Sequence, residues 1–98
     1  MFYTILFFLM VLPFRGEDRV LTAATIQNVA NTYNMTEEET SAWVFLIAQE
    51  SAFNTKAVNK NSGAMGIAQV MPEFLDYFRK RSGYLIADPM KLYDGLWL

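Results

Sequence analysis

The chain has neither histidine nor cysteine. Those two absences remove Ser-His-Asp and Cys-His nucleophilic catalysis, Cys/His zinc sites, haem and iron–sulfur ligation, and disulfides. An excess of positive charge is lacking too. Eight Lys and Arg stand against ten Asp and Glu, for a net charge of −2, which is not the electrostatic footprint of a nucleic-acid-binding protein. No nucleic-acid partner, metal or cofactor is therefore expected. With 98 residues there is room for one modest core and not two. Any chemistry must come from carboxylates, hydroxyls, amides, Lys, Arg or Tyr.

What the chain does have is a long apolar opening. Met1 to Phe14 contains no charged side chain, and Arg15-Gly16-Glu17-Asp18 ends it abruptly. Fourteen residues is short for a membrane span, which needs roughly 17–25 apolar residues. The length fits the apolar region of a secretory signal, although no Lys or Arg precedes it and no A-x-A site follows. A buried helix or strand of the fold is the alternative. Export is the preferred expectation. Residues 1–16 then form a signal peptide or apolar N-terminal segment that stands outside the core, with transient membrane contact through residues 1–14. Residues 19–98 form the folded domain.

From residue 18 onward the patterning predicts helices throughout. Ile26, Val29, Ala30 and Tyr33 fall on one stripe, with Gln27, Asn28 and Asn31 turned outward. Asn34 is a suitable left-handed stop. Thr36-Glu37-Glu38-Glu39 reads as a T-x-x-E capping box with acids at the positive end of the dipole. The helix it starts should run to about Ser51, and its second half, Ala42 to Ala48, is apolar all round, the signature of a buried helix. A further short apolar helix is expected over residues 64–71, closed by Pro72. Pro72 then opens another helix whose buried stripe is Phe74, Leu75, Tyr77 and Phe78. In it Asp76 stands four residues before Lys80, and Arg79-Lys80-Arg81 fills the last turn before Gly83. Cations against a helix C-terminus account for that triplet better than a phosphate-binding patch does. No strand alternation is visible over residues 19–83, so the expected class is all-α.

Glu50 stands out. Helical spacing puts it on the stripe of Trp43, Leu46 and Ile47, with Phe53 just beyond. An apolar surround and the negative end of a helix dipole both disfavour a carboxylate there, which is the direction a general acid requires. On position alone, a glutamate that simply turns to solvent remains the plainer alternative.

The neighbouring residues add a second line. Glu50-Ser51-Ala52-Phe53-Asn54, then Ala57-Val58-Asn59, then Ser62-Gly63-Ala64-Met65-Gly66-Ile67-Ala68-Gln69-Val70-Met71-Pro72 resembles the lytic transglycosylase domain of the soluble (SLT) type, within the lysozyme-like superfamily. The resemblance covers about residues 20–80. The S-G-A-x-G wording is closest to phage- and conjugation-associated members. It implies an all-α, lysozyme-like helical domain, shortened at its C-terminus, that acts on peptidoglycan. Glu50 matches the single catalytic glutamate, acid and then base in cleaving the bond between N-acetylmuramic acid and N-acetylglucosamine with 1,6-anhydro ring closure. By the same matching Gln69 and Met71 line the saccharide, Asn59 and Ser62 belong to the substrate-binding loop, and Ser51, Gly63 and Gly66 support the site. A hydrolase of the usual kind needs a second carboxylate across the bond, and Ser51 to Pro72 contains none.

The family's later Ala-Tyr-Asn-type element has no counterpart, since Tyr84 and Tyr93 stand in other contexts. The chain finishes on Leu96-Trp97-Leu98, and apolar surface near Tyr93, Leu96 and Trp97 is expected to be exposed. Two functions remain open at this point. One is an exported wall-cleaving enzyme, secreted, periplasmic or virion-associated. The other is a catalytically silent remnant that binds or supports the cell wall.

Overall fold

The computed structural model describes residues 1–84 and 86–97, with the backbone alone for Trp97. Five helices follow one another: α1 (Phe2–Val11), α2 (Arg19–Thr32), α3 (Glu37–Ser51), α4 (Pro72–Ser82) and α5 (Leu92–Trp97). Among the described residues there is no strand, only isolated antiparallel bridges from Met65 to Val58 and to Val70. The all-α expectation holds.

Local signals set most helix ends. Asp18 accepts a hydrogen bond from the Leu21 amide at 3.0 Å and caps α2. Asn34 takes up the left-handed conformation beyond α2, at φ 54°. The capping box of α3 is complete: the Glu39 amide donates to Thr36 Oγ1 at 3.0 Å, and the Thr36 amide donates to Glu39 Oε1 at 2.8 Å. Those bonds hold the Glu39 carboxyl below its usual range, the Thr36 backbone contributing most. Pro72 opens α4, Gly83 closes it at φ 78°, and Lys80 pairs with Asp76 at 3.0 Å.

The core joins α1, α2 and α3 to the loop and to α5. Ile5 and Leu9 of α1 meet Ala23, Ile26 and Val29 of α2, Val44 and Ile47 of α3, then Phe53, Ile67 and Leu96. This overturns the expectation that residues 1–14 stand outside the core. Leu9 is wholly buried, Phe8 lies 5.1 Å from the Phe45 ring, and the Arg15 amide donates to the Ala52 carbonyl at 2.6 Å. Arg19 Nε donates to the Leu9 carbonyl at 3.0 Å, and its guanidinium lies 4.8 Å above the Phe14 ring. Leu12 is extended at ψ 156°, as the residue before Pro13 should be, and this turns the chain off α1 toward α2. A charge-free run of this length describes an export signal and a core helix equally well, so composition could not separate the two. Among the described residues no helix is long and apolar enough to cross a membrane.

Four other expectations change. The apolar half of α3 is not buried all round. Val44 and Ile47 face inward, whereas Ala42, Phe45 and Leu46 are exposed, because the core covers one side of the helix. In α4 only Leu75 is buried, packing with Val70 and Ala87, while Phe74 and Tyr77 are exposed. Residues 64–71 form a tight turn rather than a helix. Gly66 at φ 82° and Gln69 at φ 53° reverse the chain, and Met65 and Val70 exchange amide hydrogen bonds of 3.0 and 2.8 Å. Leu96 is buried, against the expectation of exposure there, although Tyr93 is exposed. Leu98 and the Trp97 side chain lie outside the described residues.

Candidate active site

The site is built where α3 stops. Ser51 ends the helix, and Ala52 and Phe53 follow at φ 49° and 64°, two consecutive non-glycine residues in the left-handed region. Such a residue costs roughly 1–2 kcal/mol. Complete burial of Phe53, stacked on Phe14 at 5.5 Å, stabilises by about 1.5–3 kcal/mol and offsets much of that. The sharp exit lets the chain fold back along the helix end. Ser51 Oγ donates to the Ile67 carbonyl at 2.6 Å, which ties the last turn of α3 to the 64–71 turn.

Between these two pieces lies a cavity of about 180 Å³ lined by Trp43, Leu46, Ile47, Glu50, Ala68 and Gln69. Trp43, Ile47 and Glu50 are spaced i, i+4 and i+7, so one face of α3 supplies them all. Glu50 is the one carboxylate in the lining. The expected buried setting is not found: Glu50 is exposed at the rim, because α3 is covered on its Val44 side only. Gln69 faces Glu50 across the cavity on a strained backbone. Its Nε2 donates to the Gly66 carbonyl at 2.9 Å and to the Ala57 carbonyl at 3.2 Å, which holds the turn closed and leaves Oε1 as the acceptor end.

The other sequence-derived residues fall outside this lining. Met71 is partly exposed at the start of α4. Asn59 is exposed and accepts from the amides of Asn61 and Ser62 at 2.9 and 3.2 Å, and Ser62 Oγ accepts from the Ala64 amide at 3.2 Å. These contacts shape the loop. Gly63 has φ 79° and open space around it apart from Pro72. Gly66 has a firmer reason. A Cβ there would collide with the Pro89 carbonyl, so the close approach is to the segment before α5. A Cβ on Gly95 would meet the same carbonyl at 2.7 Å. Pro89 thus braces the turn that carries Gln69.

Trp43 and Leu46, which helical spacing places on the stripe of Glu50, line both the Glu50 cavity and an adjoining apolar cavity of about 500 Å³, shared with Val29, Tyr33, Met35, Ala42 and Leu96. Sequence reading passed over Tyr84 and Asp94 as a pair. Asp94 is buried and accepts from Tyr84 Oη at 3.2 Å and from the Asp88 amide at 3.0 Å. Partial burial, followed by the Asp94 charge and its hydrogen bond, pushes the Tyr84 hydroxyl above its usual range. No local pattern announces that pair. Among the described residues no group of three or more carboxylates could hold a metal ion.

Comparison with known proteins gives one finding. A family model described as the Transglycosylase SLT domain matches residues 25–94, about seven tenths of the chain, and takes in Glu50, Gln69 and Asp94. No curated protein and no solved structure matches.

Proposed function

Because the chain belongs to the transglycosylase SLT domain family, we propose that it cleaves peptidoglycan glycan strands by lytic transglycosylation, with Glu50 as acid and then base. The observation that carries this reading is the position of Glu50. It is the single carboxylate of a cavity walled by Trp43 and Gln69, inside the stretch that matches the family.

In the proposed reaction the Glu50 carboxyl gives its proton to the glycosidic oxygen between N-acetylmuramic acid and N-acetylglucosamine, and that bond breaks. The muramyl C6 hydroxyl then bonds to C1 and passes its proton to the Glu50 carboxylate. The product is a 1,6-anhydro ring, the carboxyl is restored, and no water is consumed. One carboxylate suffices for such a cycle, whereas hydrolytic glycosidases use two. Trp43 offers an aromatic face to a sugar ring, and Gln69 Oε1 accepts from a saccharide hydroxyl. Met71, Asn59 and Ser62 act further along the strand. Ser51 and Gly66 hold the two walls in register. The unit responsible is residues 19–98 together with α1, whose Ile5 and Leu9 complete its core, working in the cell envelope or outside the cell. The phage-associated subgroup is the one its glycine turn most resembles.

The exposure of Glu50 favours a second reading, glycan binding without turnover. Digestion of purified sacculi followed by mass spectrometry separates the two. Muropeptides ending in 1,6-anhydromuramyl residues, one water lighter than reducing ends, support transglycosylation. Reducing ends alone move the chain to lysozyme-type hydrolysis. Sedimentation of the chain with sacculi without released fragments supports binding only.

A further inference from the structure

Helix α1 has two apolar faces, and the core uses one of them. Ile5 and Leu9 point inward at 2% and 0% exposure. On the opposite side Tyr3, Phe7, Met10 and Val11 are exposed at 81%, 60%, 68% and 60%. At about 100° per residue these four fall within an arc of about 100°, centred across the helix from Ile5 and Leu9. No charged side chain interrupts the run from Met1 to Phe14.

The charges nearest its end are arranged for one kind of neighbour. Arg15 is exposed just beyond α1, and Arg19 reaches back to the Leu9 carbonyl. Of the acids between them, Glu17 is offset by Lys56 at 3.7 Å and Asp18 turns to the Leu21 amide at the start of α2. Two guanidinium groups therefore flank the C-terminal end of an uncharged aromatic strip. Glu37 and Glu38 lie beside Thr4 and Phe8, on the flank of the helix that borders the strip at Val11. Ten helical residues reach about 15 Å, half of the roughly 30 Å of a bilayer's hydrocarbon. A helix so short, pinned to its own domain by Ile5 and Leu9, can lie along a membrane surface but not cross it.

We propose that the outer face of α1 is a peripheral docking surface for an anionic lipid bilayer. Tyr3, Phe7, Met10 and Val11 enter the headgroup boundary, Arg15 and Arg19 meet the phosphates, and α1 stays packed on the domain. The proposal is independent of the catalytic reading, because none of these residues lines the Glu50 cavity.

Co-sedimentation of the full chain with vesicles of phosphatidylglycerol and phosphatidylethanolamine tests it, with circular dichroism to verify folding. The expected result is association that the triple variant Tyr3→Ser/Phe7→Ser/Met10→Ser weakens by about tenfold or more at unchanged helicity. Should the triple variant fold poorly, Phe7→Ser alone is scored, and a clear weakening is still expected. Two results overturn the proposal. One is a wild-type chain that stays in the supernatant, or binds equally well with the face made polar. The other is lipid-free self-association that the same substitutions abolish, which makes the face an interface between copies of the chain.

Discussion

Ala52 and Phe53 hold left-handed backbone directly after Glu50-Ser51, and strain of this kind persists only where surrounding contacts over-determine it. Here the surroundings are the Phe53 side chain in the core and the Ser51 bond to Ile67. Neither residue type advertises such a conformation, so the end of α3 was legible as a place but not as a shape. The Tyr84–Asp94 pair was invisible for another reason: its members are ten residues apart and meet only through the fold. That pair has a pH consequence. The folded chain keeps the Tyr84 proton to higher pH than the unfolded chain, whose value lies near 10.0. Its contribution is therefore complete below that pH and declines as pH rises through the higher folded value. In urea melts between about pH 8 and pH 11, the stability difference between wild type and Tyr84→Phe should be constant at the low end and shrink at the high end. A difference that grows with pH would contradict the arrangement.

Helix ends were read well because they are set within about four residues of sequence. The capping box, the Asn34 stop, Pro72, Gly83 and the Asp76–Lys80 pair are all of this kind. The 64–71 segment shows the limit. Its apolar content suggested a helix, but positive φ at Gly66 and Gln69 and the bridge from Met65 to Val70 make it a turn, wedged against Pro89 from a distant part of the chain. Two glycines separate the contributions. Gly66 and Gly83 both have φ near 80°, but a Cβ meets the Pro89 carbonyl at the first and nothing within 4 Å at the second. Gly83→Ala should therefore cost only the backbone penalty of about 1–2 kcal/mol. Gly66→Ala should cost at least about 2 kcal/mol more than that, since a buried backbone must move. Urea denaturation of both variants measures the difference, and equal losses would remove Pro89 as the brace of the site.

A radius of gyration of 13.0 Å matches the roughly 13 Å of a compact domain of about 100 residues, with α1 included. Packing of α1 could not be read from a run that is apolar on every side, since only partners far along the chain reveal which face goes in. If Ile5 and Leu9 are core residues, Leu9→Ala should destabilise the chain by about 2–5 kcal/mol. An unchanged urea midpoint would show α1 to be an appendage. Whatever holds the molecule together, the function proposed for it rests on one carboxyl at the end of α3. The most direct measurement is the release of anhydromuropeptides from purified sacculi by wild type and by Glu50→Gln. Glutamine preserves shape but carries no exchangeable acid proton, so release should fall by about 10²–10⁴-fold or more, with the unfolding curve essentially unchanged. Release of 1,6-anhydro ends by Glu50→Gln at the wild-type rate would contradict the account.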